Sequence, residues 1–138
     1  MCKKTPSRTK YKKTQNNFSY KIASKCNSIE FGSYALQSID YGLIKSSSLE
    51  SARIAINHKL KRSGTIICRI FPHTPITKKA AETRMGKGKG EVDSYACFIK
   101  KGTVIFEIKD VPFNLAKEAL SLGERKLNVK CKFIYKMY

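Results

Sequence analysis

The sequence predicts an α+β protein: two helices packed on a mainly antiparallel sheet, with a basic N-terminal arm and a long glycine- and lysine-rich loop. Short β-branched and aromatic runs are interrupted by only two stretches of helical periodicity, in the order β-β-α-β-loop-β-β-α-β. The chain has 138 residues, 41% of them hydrophobic, enough for one modest core. We therefore read residues 1–28 as an arm and 29–138 as a single domain, with a long loop at 72–90.

The arm is defined by charge. No acidic residue precedes Glu30, whereas Lys3, Lys4, Arg8, Lys10, Lys12, Lys13, Lys21 and Lys25 all do. Such a segment suits either an organelle transit peptide or an arm that orders on RNA. IEFGSYALQSIDYGLI (29–44) then reads as two short strands with a bend, broken by Gly32 and Gly42. In the next segment Ser47 and Glu50 have the spacing of a capping box. Leu49, Ala52, Ile56 and Leu60 form one apolar helical stripe, and Gly64 is expected to close the helix. Arg53, Lys59, Lys61 and Arg62 lie elsewhere on the wheel, the last three near the C-terminal end where cations complement the dipole.

TIICRIF (65–71) is short, β-rich and stopped by Pro72, hence a strand. YACFI (95–99) and TVIFEIK (103–109) flank Lys100, Lys101 and Gly102, which read as a hairpin turn. Pro112 opens the second helix, with Leu115, Ala119 and Leu122 on one side and Gly123 weakening its end. In NVKCKFIYK, Val129, Cys131, Phe133 and Tyr135 share one face against Lys130, Lys132 and Lys136, the pattern of a half-buried strand.

Charge narrows the function. Twenty-eight Lys and Arg against ten Asp and Glu leave +18, so self-repulsion opposes compaction unless a polyanion is near. This composition points to nucleic acid. No apolar stretch approaches the roughly 20 residues of a spanning helix, and no membrane partner is expected. Cys2, Cys26, Cys68, Cys97 and Cys131 are odd in number and scattered, which fits neither a disulfide framework nor a zinc site. Cys68, Cys97 and Cys131 fall in strand runs and read as small buried apolar residues. His58 and His73 stand apart from any acidic cluster. No catalytic residue, metal or cofactor is expected.

The stretch PHTPITKKAAETRMGKGKG (72–90) lacks periodicity and carries Lys78, Lys79, Arg84, Lys87 and Lys89 against Glu82. Irregular loops of this length are usually functional or disordered. RMGKGKG is not a P-loop, since no Ser or Thr follows Lys87 or Lys89 and a strand rather than a helix comes next. It is not a dinucleotide fingerprint for the same reason of context. A backbone lying against RNA fits better: Gly86, Gly88 and Gly90 permit positive φ and close approach, Arg84 can take two phosphate oxygens or stack on a base, and Lys87 and Lys89 add point charge.

RMGKGKG, preceded by Phe71, Pro72, Pro75, Ile76 and Thr77, resembles the signature of the bacterial-type large-subunit ribosomal protein L-sixteen family. TKYKK (Thr9 to Lys13) is similar to that family's basic arm, and FGSYAL (Phe31 to Leu36) to its first sheet segment. KKGTVIFEI (Lys100 to Ile108), VPFNLAKEAL (Val111 to Leu120) and the closing lysine strand follow in the family order. The resemblance covers about residues 8–136. It implies an α+β fold and a structural role on large-subunit ribosomal RNA near the peptidyl transferase centre and central protuberance. It also implies a part in positioning aminoacyl-site tRNA and in late subunit assembly, with neighbouring ribosomal proteins as partners. By motif, Lys78, Lys79, Arg84, Gly86, Lys87, Gly88, Lys89 and Gly90 would be the RNA-binding loop, and Arg8, Lys10, Lys12 and Lys13 the RNA-binding arm. The alternative is a basic RNA-binding protein acting outside the ribosome.

If Thr9 to Lys13 belong to the mature arm, the eight residues before them are too few for a presequence, and the protein is expected to be made where it works. Residues 14–28 depart from the family arm, reading TQNNFSYKIASKCNS where Arg, His and Gly are usual. Lysine outnumbers arginine 22 to 6 among the 28 basic residues, suggesting an AT-rich coding genome. The expected location is the mitochondrial ribosome, organelle-encoded, with the plastid second and an AT-rich bacterium third.

Overall fold

A computed structural model describes residues 5–15 and 20–136. Cys2, Lys3, Lys4 and the stretch 16–19 of the arm lie outside the described residues. The chain runs β1 (Tyr34–Ser38), β2 (Gly42–Lys45), α1 (Ser46–Lys59), β3 (Thr65–Cys68), β4 (Thr74–Lys78), β5 (Glu91–Ile99), β6 (Val104–Lys109), α2 (Phe113–Glu124) and β7 (Cys131–Tyr135). The strands make two antiparallel sheets, β3-β6-β1-β7 and β2-β5-β4, and the two helices pack on each other. This is the expected α+β class, divided between two sheets.

The division explains why the expected hairpin at Lys100–Gly102 is not one. Gly102, at φ +88°, donates to Ser38 O at 2.8 Å, and Ser38 N–H donates to Thr103 O at 2.9 Å. The turn is thus pinned to the end of β1. β6 enters the first sheet beside β1, while β5 stays with β2 and β4. The bend after β1 makes the reverse crossing. Two arm bonds brace this corner: Ala23 N–H donates to Lys101 O and Val104 N–H to Cys26 O, at 2.9 and 2.8 Å. From Tyr20 onward the arm therefore lies on the body, with Ala23 buried.

The α1 stripe of Leu49, Ala52, Ile56 and Leu60 is buried as its spacing predicts. The capping box does not form. Ser47 is already inside the helix, whose N-cap, Lys45, makes no side-chain cap hydrogen bond. Glu50 turns instead onto Arg53, with Oε1 2.7 Å from Nη2 and Oε2 3.0 Å from Nε. Gly64 does not close the helix either; Lys61 and Arg62 take the left-handed turn at φ +49° and +65°. Gly64 serves a close approach, since a Cβ there would sit 2.6 Å from Lys109 O.

α2 also rolls away from the expected face. It buries Ala116, Ala119, Leu120 and Gly123, while Leu115 is half-buried and Leu122 exposed. The reason lies in residue size. A Cβ on Gly123 would come within 2.7 Å of the Ile56 side chain, so the small residues mark the line of closest helix approach. β3 stops at Cys68 rather than Phe71. In β7 the alternation holds at the start, with Cys131 buried, Lys132 exposed and Phe133 stacked on Tyr34 at 6.0 Å. It is lost at the end, where Ile134 is half-buried and Tyr135 exposed.

Candidate nucleic-acid interface

The stretch 72–90 is not one irregular loop. TPITK forms β4, which the sequence reading missed because Pro75 and a short polar run hide the alternation. β4 pairs with β5 through Lys78↔Glu91, so residues 79–90 are the tip of a β-hairpin on a rigid base. Lys78 is therefore a strand residue, and Gly90 is where the tip rejoins the base. A Cβ on Gly90 would lie 2.6 Å from Lys78 O, which the paired strand cannot accommodate.

The tip is different. Every residue from Lys78 to Lys89 is exposed, and Met85 is fully so. Gly86, Lys87 and Gly88 follow one another in the left-handed region, at φ +100°, +56° and +76°. Nothing lies within 4 Å of a Cβ built on Gly86 or Gly88. Their bareness thus relieves no crowding inside the protein; it permits the backbone turn and leaves the peptide groups open to a ligand. Lys79 Nζ donates to Gly86 O at 2.7 Å and struts the tip from within.

The arm meets this hairpin. Lys12 Nζ lies 3.0 Å from Glu91 Oε2, and Lys13 Nζ donates to Lys89 O at 2.9 Å and reaches Glu91 Oε1 at 3.5 Å. Lys89 Nζ returns a hydrogen bond to Thr14 O. The hydrogen bond and charge of Lys12, followed by those of Lys13, hold the exposed Glu91 carboxyl below its ordinary range. Lys12, Lys13, Lys79 and Lys89 are thus engaged in shaping the surface. The side chains of Arg8, Lys78, Arg84 and Lys87 make no hydrogen bond or ion pair to other described residues, and that of Lys10 overlies the Tyr11 ring at 5.4 Å. The arrangement joins two cationic segments, distant in sequence, into one surface with free guanidinium and ammonium groups.

Sequence reasoning missed the residues that anchor this surface. Glu91 was legible only as the acid ending the glycine–lysine run. Glu107, fully buried in β6, holds the chain where the arm enters the body. It accepts from the Phe31 and Gly32 N–H groups at 2.8 and 2.7 Å and from the Arg69 guanidinium. Burial opposes its charge, but the backbone donors and Arg69 outweigh that and keep its pKa below the ordinary carboxylate value. Arg69 also pairs with Glu30 at 3.0 Å and lies over the Phe31 ring.

Elsewhere the chemistry is quiet. Burial pushes the Cys97 thiol up to about 11, and burial followed by Glu124 and Asp40 pushes Cys131 up to about 12, so both stay protonated near neutrality. Among the described residues no three His, Cys, Asp or Glu side chains gather as metal ligands, and no helix is long and apolar enough to cross a membrane.

Fold and surface together present a basic α+β platform with an exposed hairpin tip. The family described as "Ribosomal protein L16p/L10e" matches residues 6–134. Curated relatives agree. The "Large ribosomal subunit protein uL16" of Borreliella burgdorferi (strain ZS7) and that of Borreliella afzelii (strain PKo) are each 48% identical over 130 residues. That of Borrelia recurrentis (strain A1) is 46% identical over the same length, and in all three the match covers 94% of this chain and 94% of the relative. The chain belongs to the ribosomal protein L16p/L10e family.

Proposed function

We propose that this protein is a structural, non-enzymatic constituent of the large ribosomal subunit. It binds large-subunit ribosomal RNA through the 79–90 hairpin tip and the 8–13 arm. The observation that carries this reading is the left-handed turn Gly86–Lys87–Gly88, with the Lys87 side chain and nearby Arg84 unengaged among the described residues, on a chain of net charge +18. Such a turn brings backbone N–H groups against phosphate, while released counterions drive association. Within the subunit the tip serves the aminoacyl-tRNA site near the peptidyl transferase centre and takes part in late assembly, as the family resemblance implies. The lysine-over-arginine bias, 22 to 6, supports an AT-rich organelle genome, mitochondrial ahead of plastid, and the genome that encodes the chain checks this directly.

Arg84→Ala tests the role. The purified variant keeps its circular-dichroism spectrum, because Arg84 is exposed and unpartnered among the described residues. In cells it leaves immature large subunits or slows tRNA accommodation. Loss of the folded spectrum would make the loop a scaffold; normal maturation and accommodation would remove Arg84 from the site. Finding the protein mostly off the ribosome would favour the extraribosomal alternative.

A further inference from the structure

β7 is the end strand of its sheet, paired only with β1 among the described residues. In an antiparallel ladder alternate residues turn both peptide groups to the neighbour, and the others turn theirs away. Lys130 O accepts from Ile39 N–H at 2.9 Å, and Lys136 N–H donates to Ser33 O at 3.0 Å. The register between them is regular, so the even-numbered residues face β1, while Cys131, Phe133 and Tyr135 face outward. Glu124 Oε1 takes up the Cys131 N–H at 3.0 Å, but no described residue accepts from the N–H of Phe133 or Tyr135. The open edge is therefore short and begins at Phe133.

The side chains mark the same place. Phe113, the first residue of α2, lies edge-on to Tyr34, Phe133 and Tyr135, with ring centroids 5.9, 5.5 and 5.8 Å away. Phe113 remains 42% and Tyr135 52% exposed. Contiguous exposed aromatic surface of this kind marks an interaction site rather than a core. The other face of the strand is basic, with Lys130 and Lys132 both exposed.

We infer that the β7 edge at Phe133–Tyr135 is a docking site for an extended segment of a neighbouring large-subunit protein, which adds a strand to the sheet. The peptide groups of that segment bond to those of Phe133 and Tyr135. An apolar side chain covers Phe113 and Tyr135, and an acidic one on the opposite face meets Lys130 or Lys132. A nucleotide base would stack on the rings but offers no donors and acceptors at the spacing of a strand. A second copy of this chain would set lysine beside lysine in a molecule already at +18. The inference rests on the large-subunit reading above, and it adds a partner surface on the opposite sheet from the hairpin.

The test places Phe113→p-benzoylphenylalanine, which keeps an aromatic ring in the cluster, in the full chain. Large subunits purified from cells are irradiated, and the cross-linked peptide is identified by mass spectrometry. One neighbouring protein is expected, cross-linked within a segment that carries an apolar and an acidic residue side by side. In wild-type subunits, deuterium exchange at the Phe133 and Tyr135 amides is expected to be severalfold slower than in the free chain. The inward Lys132 and Ile134 amides should be protected in both. Tyr135→Pro removes an outward donor that the sheet itself does not use, a change that edge strands tolerate. Added to the cross-linking chain, it is expected to leave the fold intact by circular dichroism and to reduce the cross-link severalfold. A cross-link to ribosomal RNA, to a second copy of the chain or to nothing overturns the inference. So does unchanged exchange at the two outward amides, or an undiminished cross-link in the proline variant. A wild-type chain absent from large subunits would remove the large-subunit reading itself, and this inference with it.

Discussion

At the scale of single residues, the glycines divide into two kinds that share one motif. Gly90 is required by its own protein, because Lys78 O stands where its Cβ would be. Gly86 and Gly88 are required only by φ and by whatever lies outside. Gly86→Ala or Gly88→Ala therefore changes global stability by only about 1–2 kcal/mol, the cost of a left-handed Cβ. RNA affinity, measured by titration, falls more than that strain accounts for. Equal losses in folding and binding would mean that the ligand does not use the open backbone. Glu107 is the opposite case, a charge used wholly inside. Glu107→Gln leaves Arg69 short of its buried partner and turns an amide toward backbone donors, so denaturant unfolding should show a loss of about 3–5 kcal/mol. The pH dependence has a definite sign. The folded pKa is depressed, so the carboxylate's contribution is fully present above its ordinary value of 4.5 and is lost as pH falls through the folded value. The wild type should lose stability on acidification more steeply than the variant.

At the scale of elements, the helix pair turns on Gly123. Gly123→Ala gains about 1 kcal/mol of helix propensity. It also forces a methyl to within 2.7 Å of fully buried Ile56, and overpacking of that kind costs about 1–3 kcal/mol. Thermal unfolding should show net destabilisation; a more stable variant would mean that the helices can separate freely. The same glycine shows what the sequence could and could not express. Every helix and most strands were legible, because periodicity and turn residues are local signals. The α1 stripe was legible in full. The α2 face was not, because Ala116 and Gly123 are buried for being small, which hydrophobic periodicity does not register. β4 hid behind Pro75, and the false hairpin at Lys100–Gly102 arose because strand adjacency in sequence does not say which sheet each strand joins. The candidate site was legible as a motif, in Arg84 to Gly90 and in the arm. Glu91, Arg69 and Glu107 were not, since long-range pairs leave no local trace.

At the scale of the whole molecule, a small two-sheet body holds together a chain whose charge of +18 works against compaction. Its few acids are placed at joints: Glu91 ties arm to hairpin, Glu107 and Glu30 tie the arm's root to β6 through Arg69, and Glu118 ties α2 to α1. Under the proposed reading, exposed cations such as Arg84 and Lys87 meet the polyanion. The most direct measurement is a density map of the large subunit that contains this chain, at a resolution that separates phosphate from side chain. Arg84 or the peptide groups of Gly86–Gly88 should lie within about 2.7–3.2 Å of a nucleotide. A tip folded back on protein, or standing in solvent with no nucleotide in reach, would contradict the assignment.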